Sequence, residues 1–183
     1  MFSAAAGIVA GAAMALGLSF AWLVGLTEFN ALLALGTVVT RSDGIGTWFA
    51  GLMLHLVVSA LIGLAYGAVF YVTGHSGRVF GAIIGAGHWM GVGILMGLLP
   101  QIRADQPAPG FFGMGYGGLT FTLIMVFHVL YGAVLGELYE RAERGGVIRT
   151  SNLTVGGSPL ADSLGQGQRN FEEYKTQARK RAI

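Results

Sequence analysis

Three of the four histidines in this 183-residue chain, His55, His88 and His128, lie inside long uncharged apolar stretches. Each is roughly midway along its stretch, and a helix rises about 1.5 Å per residue, so the three imidazoles are predicted at similar depths near the middle of a bilayer. Ionisable groups at that depth are costly and are functional candidates by default. The fourth histidine, His75, falls in a short polar turn and is expected to be solvated.

Each intramembrane histidine shares a helix face with small residues, because the spacings between them match successive helical turns. Small residues let helix backbones approach closely in lipid. Each histidine is therefore predicted on the face of its helix that meets another helix. The three sets are Gly81, Gly85 and His88; His55, Ser59, Gly63 and Tyr66; and His128, Gly132, Gly136 and Tyr139.

Three chemistries fit imidazoles that converge at this depth. The first is axial ligation of haem b or a (bacterio)chlorophyll-type chlorin, with glycine beside the ligand so that the flat ring can approach. The second is a metal site in which Met14, Met90 or Met125 adds a thioether to the histidines. The third is structural, with each imidazole bonded to a hydroxyl or a backbone carbonyl of a neighbouring helix. The sequence leaves all three open.

The composition indicates a membrane protein. Apolar residues make up 54% of the chain and charged residues only 11%, whereas soluble domains carry roughly 25% charged residues. Of the 20 charged residues, 14 follow Gly136. This balance excludes disorder and a typical soluble enzyme, and we expect no nucleic-acid partner. The absence of cysteine excludes disulfides, thiolate metal sites and c-type haem attachment.

Four stretches have the roughly 20 apolar residues that a membrane-crossing helix needs. They cover about residues 1–26, 46–73, 79–100 and 117–140. Residues 1–26 are interpreted as a retained span because no basic segment precedes the apolar run. The predicted fold class is all-α, a polytopic membrane bundle of four transmembrane helices forming residues 1–140, with a polar C-terminal tail over 141–183.

Matching residue spacings also indicate that the four spans are a duplicated helix pair. His55, Gly63 and Tyr66 have the same spacing as His128, Gly136 and Tyr139. The glycine pairs Gly7/Gly11 and Gly81/Gly85 precede these sets by nearly equal distances. Two tandem pairs with the same orientation would be related by an axis along the membrane normal.

Two further segments carry predictions. Thr27 to Thr40 is apolar but too short to cross, and it is expected to form an interfacial or re-entrant helix with Thr27 as its N-cap. The polar tail contains a variant capping box, Asn170 with Glu173, which predicts a short helix near 170–182. We expect this tail to dock on a partner chain, because a free glycine-rich polar segment would fray.

Basic residues predict the orientation in the membrane. Arg78 and the eight Lys and Arg residues from Arg141 onward would share one side, whereas only Arg41 and Arg103 would lie on the other. Under the positive-inside rule, both termini are expected in the cytoplasm.

The last span contains the run His128-Val-Leu-Tyr131-Gly132. With the midspan histidine, this run resembles small four-helix bacterial integral membrane proteins to which no activity is assigned. The resemblance covers about residues 1–140. It implies the four-helix fold and a bacterial inner membrane, and it transfers no site residues.

These observations together predict a non-catalytic integral membrane subunit of a larger bacterial electron-transfer complex, respiratory or photosynthetic. Its expected partners are other membrane subunits and the lipid bilayer, and His55, His88 and His128 are its candidate cofactor ligands. The alternative is a small stand-alone transporter or channel for a neutral solute or a metal ion. We do not expect an enzyme, because the sequence contains no recognisable constellation of acid, base and nucleophile.

Overall fold

The computed structural model describes residues 1–42, 44–98 and 108–148, and throughout these ranges the ordered elements are helical. The helices are α1 (Phe2–Leu23), α2 (Ala31–Thr40), α3 (Ile45–Thr73), α4 (Arg78–Leu98) and α5 (Gly118–Arg144), with a 3₁₀ segment at Phe111–Tyr116. Four of them, α1, α3, α4 and α5, are long and apolar enough to cross a membrane. The predicted fold class is confirmed. The tail helix predicted near 170–182 lies outside the described residues.

The spans assemble as two helix pairs. Helix α1 packs along α3 and α4 packs along α5, while the two pairs meet chiefly through α1 and α5. Helices α3 and α4 make few backbone contacts with each other. Side chains fill part of the space between them, since the ring centroids of Tyr66 on α3 and His88 on α4 are 6.1 Å apart.

Glycines set the spacing within each pair. A methyl group at Gly7 would overlap the backbone of Ser59 on α3, and one at Gly81 would overlap the backbone of Gly132 on α5. The same glycines also meet Gly63 and Gly136, respectively. These contacts are equivalent under the repeat in the sequence, so both pairs use the same close backbone approach that glycine permits in lipid.

The helix predicted between residues 27 and 40 is present as α2, but its predicted N-cap is wrong. Asn30 caps the helix, since its side chain accepts a hydrogen bond from the Leu33 amide at 3.0 Å. Thr27 instead accepts from the amide of Phe29 and pairs with the hydroxyl of Thr120 on α5 at 2.6 Å. The Thr27 hydroxyl therefore ties the end of the first pair to the second pair.

Glycine contacts also seat α2 on α3. A methyl group at Gly36 would overlap the backbone of Thr47, and one at Gly51 would overlap the backbone of Leu32. Because α2 is only 10 residues long, it cannot cross a bilayer. It lies instead along the first part of α3, beside the end of the bundle where α5 begins.

At the end of the bundle opposite α2, ion pairs join the two helices of the second pair. Arg78 at the start of α4 contacts Glu137 on α5 at 2.8 Å, and Arg141 contacts the same carboxylate at 2.6 Å. Glu137 and Arg141 are one helical turn apart, a spacing that favours ion pairs on a helix. His75, in the turn between α3 and α4, is exposed as predicted, and its Nδ1 donates to the Thr73 carbonyl at 2.7 Å.

Candidate functional site: a histidine-lined cavity

A cavity of about 270 Å³ lies between the two helix pairs and is lined by residues of all five helices. Most of its lining is aliphatic or aromatic. Its polar lining comes from four larger side chains and one hydroxyl: His55, His88, His128, Tyr131 and Ser59. The three histidines singled out by the sequence therefore border one space, although they come from three different spans.

The polar groups and the apolar lining are separated along the bundle. On α4 the lining runs from His88 through Val92 to Met96, and on α5 it runs from Tyr131 through His128 to Ile124. Both series pass from midspan toward the end of the bundle that α2 covers. The cavity therefore has a polar zone near the membrane middle and an apolar zone beneath α2.

His128 is the most buried of the three, with 5% of its surface exposed. Its Nδ1 lies 2.7 Å from the carbonyl oxygen of Ile124, one turn earlier on the same helix. A carbonyl oxygen only accepts hydrogen bonds, so Nδ1 carries the proton. In the neutral ring the other nitrogen, Nε2, then keeps a free lone pair.

His55 is arranged the opposite way. Its Nε2 donates to the carbonyl oxygen of Gly11 on α1 at 3.0 Å. By the same argument, the lone pair of the neutral ring is on Nδ1. The bond crosses between the two helices of the first pair, beside the close approach of Gly11 to Ser59.

His88 has no such anchor. Its ring meets the ring of His128 edge to face, with the centroids 4.8 Å apart. Within residues 1–42, 44–98 and 108–148, its buried Nδ1 atom has no hydrogen-bond partner. A buried polar atom without a partner costs stability, so its presence needs an explanation.

Two tyrosines pack at the polar zone, of which Tyr131 lines the cavity and Tyr66 does not. The hydroxyl of Tyr131 donates to the carbonyl oxygen of Ser59 at 2.8 Å and so links α5 to α3. The hydroxyl of Tyr66 is buried and has no partner in the described part of the chain. The Tyr66 ring packs edge to face against Tyr131 at 5.8 Å and against His88 at 6.1 Å. The sequence analysis placed Tyr66 on the same helix face as His55, but it assigned neither tyrosine a role.

The cavity reaches the outer surface of the helices. Two of its lining residues, Val38 on α2 and Val58 on α3, are 57% and 43% exposed. In a membrane, Val58 would face lipid on the outside of a spanning helix. The exposed lining at this rim is therefore apolar.

The arrangement does not fit a tetrapyrrole held between two histidines. The edge-to-face rings of His88 and His128 leave no space for a flat macrocycle between them. The glycine expected to admit the ring is occupied, because Gly85 lies against the backbone of His128. The cavity is also slightly smaller than the roughly 300–1,000 Å³ that small-molecule sites occupy. Haem or chlorin ligation stays a prediction, with His128 Nε2 as the atom free for a single axial bond.

Metal ligation also stays a prediction. Among the described residues, no group of three or more His, Asp or Glu side chains has an arrangement that could hold a metal ion. Of the three methionines that the sequence singled out, Met14 lines the cavity, whereas Met90 is 53% exposed. Met125 is not among the lining residues.

The contribution of α2 to the lining could not be found from the sequence. Leu32, Leu35 and Val38 border the cavity, and they differ in no visible way from other aliphatic residues of the chain. Comparison with known proteins adds no functional information, because no family model, no curated protein and no solved structure matches this chain.

Proposed function

We propose that this multi-pass membrane protein is a non-catalytic subunit that holds a lipophilic small molecule in the histidine-lined cavity. Its setting would be a bacterial electron-transfer complex of the cytoplasmic membrane. The observation that carries the proposal is the meeting of His55, His88 and His128 at the polar end of an apolar cavity that reaches the lipid-facing surface.

A purely structural role accounts for two of the three histidines. His55 and His128 each donate to a backbone carbonyl, as an imidazole does when it serves only packing. It does not account for His88 or Tyr66, whose buried Nδ1 and hydroxyl have no partners among the described residues. Of the two residues, His88 lines the cavity and Tyr66 does not, so His88 is the one whose ring a bound molecule could contact.

Association with other membrane subunits has separate support. On the outer face of α4, Gly87 and Gly91 lie one turn apart with open space around them. Most of the other spanning-helix glycines are already packed within the chain. Two exposed small residues at this spacing permit a further helix to approach closely. The predicted docking of the tail on a partner lies outside the described residues and is part of the same proposal.

A comparison of co-purified molecules tests the cavity. The protein would be purified in nanodiscs, its absorption spectrum recorded, and its organic extract and metal content analysed by mass spectrometry. We expect the wild-type protein and His75→Ala to retain the same molecule, because His75 is exposed and outside the cavity. His128→Ala should lose it. Extracts that contain only bulk lipid in all three samples would count against the proposal, and a visible band dependent on His128 would indicate haem or a pigment.

The orientation can be tested without background labelling, because the chain has no cysteine. We propose that both termini are cytoplasmic. A single cysteine at the exposed position 75 should then be protected from an impermeant thiol reagent in intact cells, and one at the exposed position 42 should react. The reverse pattern would overturn the assignment.

The alternative proposal, a small transporter or channel, is favoured by the repeat of the two helix pairs. Pseudo-symmetric halves with a site between them are common in transporters. Uptake of a neutral solute or a metal ion into proteoliposomes, lost on blocking the cavity with Val92→Trp at a lining residue of α4, would favour this function. Co-purification with foreign membrane subunits, lost after truncation behind Arg144, would favour the subunit.

A further inference from the structure

We infer that the molecule bound in the cavity is a lipophilic hydroquinone, a ring that carries hydroxyl groups and an apolar tail. The inference rests on the proposed function, since it names the ligand of the same cavity.

The first step concerns which ring nitrogens are left to bond a ligand, and whether they can donate or only accept. The protons of His55 and His128 are both committed to backbone carbonyls, at Gly11 and Ile124 respectively. Their remaining nitrogens can only accept hydrogen bonds while the rings are neutral. A ligand must therefore donate protons to make use of them. A quinone, which has only carbonyl oxygens, cannot do so, whereas the hydroxyl groups of a hydroquinone can.

The second step concerns the unpartnered atoms. No hydrogen bond from His88 to a backbone carbonyl is found among the described residues, and its Nδ1 is enclosed by protein, so a ligand would have to meet its Nε2. A hydroxyl oxygen can accept a hydrogen bond while its own hydrogen is donated elsewhere. One hydroxyl group can thus donate to His128 and accept from His88. Because a dihydroxy ring has two such groups, it can also use the lone pair of His55, which an alcohol with one hydroxyl cannot do at the same time.

The third step concerns size and access. A volume of about 270 Å³ suits a single ring with the first part of a tail, and it does not suit a tetrapyrrole. The aliphatic lining beneath α2 suits the tail. The rim at Val38 and Val58 opens toward lipid, where the remainder of a longer tail would lie. Such a ligand would reach the site from the bilayer and place its ring at the histidines.

Three probes of nearly the same shape distinguish the possibilities. Decylhydroquinone, the corresponding decylquinone and the dimethyl ether of the hydroquinone differ chiefly in whether they donate hydrogen bonds. Binding to the full-length protein in nanodiscs would be measured by calorimetry under anaerobic conditions, with empty nanodiscs as the partition control. We expect the hydroquinone to bind at least tenfold more tightly than the other two, because one buried hydrogen bond contributes about a factor of ten.

A matched pair of variants locates the effect. His128→Phe keeps a flat ring in the same place but removes its nitrogens, so the preference for the hydroquinone should fall to less than threefold. His75→Phe should keep the full preference. Should His128→Phe fail to fold, the comparison of the three probes on the wild-type protein still decides the question.

The outcomes separate this inference from the proposed function. Equal binding of all three probes would overturn the hydroquinone and leave a generic lipophilic site. Failure of all three, while a different molecule co-purifies in a His128-dependent manner, would also overturn the hydroquinone alone. If no probe binds and nothing but bulk lipid co-purifies, both the inference and the proposed function are overturned.

Discussion

The two helix pairs share a backbone scaffold but use their histidines differently. Gly7 meets α3 in the first pair as Gly81 meets α5 in the second, at equivalent positions of the repeat. Yet His55 bonds across to the other helix of its pair, whereas His128 bonds within its own helix. At the position that corresponds to His88, the first pair has Met14. A repeated fold has thus acquired an asymmetric site, because close glycine packing constrains the backbone and leaves the neighbouring side chains free to differ.

The connections within the pairs differ as well. The first pair inserts α2, which is seated by Gly36 and Gly51 and lines the cavity. In the second pair, Phe111 and Phe112 of the 3₁₀ segment fold onto Gly97 and Gly93 of α4. Here too the close contacts are made at glycines, but the contacting groups are aromatic rings instead of a helix backbone. Among the described residues, the first connection contributes several aliphatic side chains to the cavity wall, whereas the second contributes Pro109.

The largest effect should come from breaking the shared scaffold. Gly81→Leu would drive a side chain into the backbone of Gly132, and Gly7→Leu would do the same at Ser59. We expect each variant to lose about 3 kcal/mol or more of stability, or to aggregate, because backbone cannot yield as a side chain can. Thermal unfolding in detergent measures this. Gly87→Leu, which points into open space, is the control and should unfold like the wild type. If Gly81→Leu unfolded at the same temperature as the wild type, the equivalence of the two pairs would be contradicted.

The next effect concerns the asymmetric position. His88→Met gives the second pair the residue of the first, and it removes the unpartnered Nδ1. We expect at least tenfold weaker retention of the cavity ligand. Stability should stay the same or rise, because no existing hydrogen bond is lost. Ligand extraction together with thermal unfolding measures both quantities. A variant that loses stability but keeps its ligand would show that His88 serves packing.

A smaller effect separates the two tyrosines of the polar zone. Tyr131→Phe removes the bond to the Ser59 carbonyl and leaves that oxygen unpaired, which should cost about 1 kcal/mol. Tyr66→Phe removes a hydroxyl without a partner among the described residues and should cost nothing. Their unfolding temperatures in the ligand-free protein provide the measurement. Equal losses would mean that Tyr66 has a partner too.

The smallest effect is expected at the charged end of the second pair. Glu137 contacts Arg78 and Arg141, whereas the corresponding residue of the first pair is Leu64. Glu137→Leu makes the pairs alike and should lower the unfolding temperature only slightly, because exposed ion pairs are screened by water and salt. Unfolding at low and high ionic strength should differ less in the variant than in the wild type. A fall in unfolding temperature as large as that of Tyr131→Phe would contradict this prediction.

Much of this protein follows from local sequence. Uncharged apolar length determines that four helices cross the membrane, because no other backbone arrangement satisfies its hydrogen bonds within a span. Counting along those spans already placed His55, His88 and His128 at one depth, and their spacing to small residues placed them on packed faces. These properties depend only on residues close to one another in the chain.

The tertiary structure decided which atoms meet. Thr27 was predicted as a helix cap, yet it pairs with Thr120, which is distant in sequence and close in space. The glycines expected to admit a cofactor ring face other backbones instead. The carbonyls of Gly11 and Ile124 determine which ring nitrogen of His55 and of His128 carries the proton, and therefore which nitrogen keeps its lone pair. Helix rotation and the choice of hydrogen-bond partner depend on packing between segments far apart in the chain, and this is the information that a single stretch of sequence does not contain.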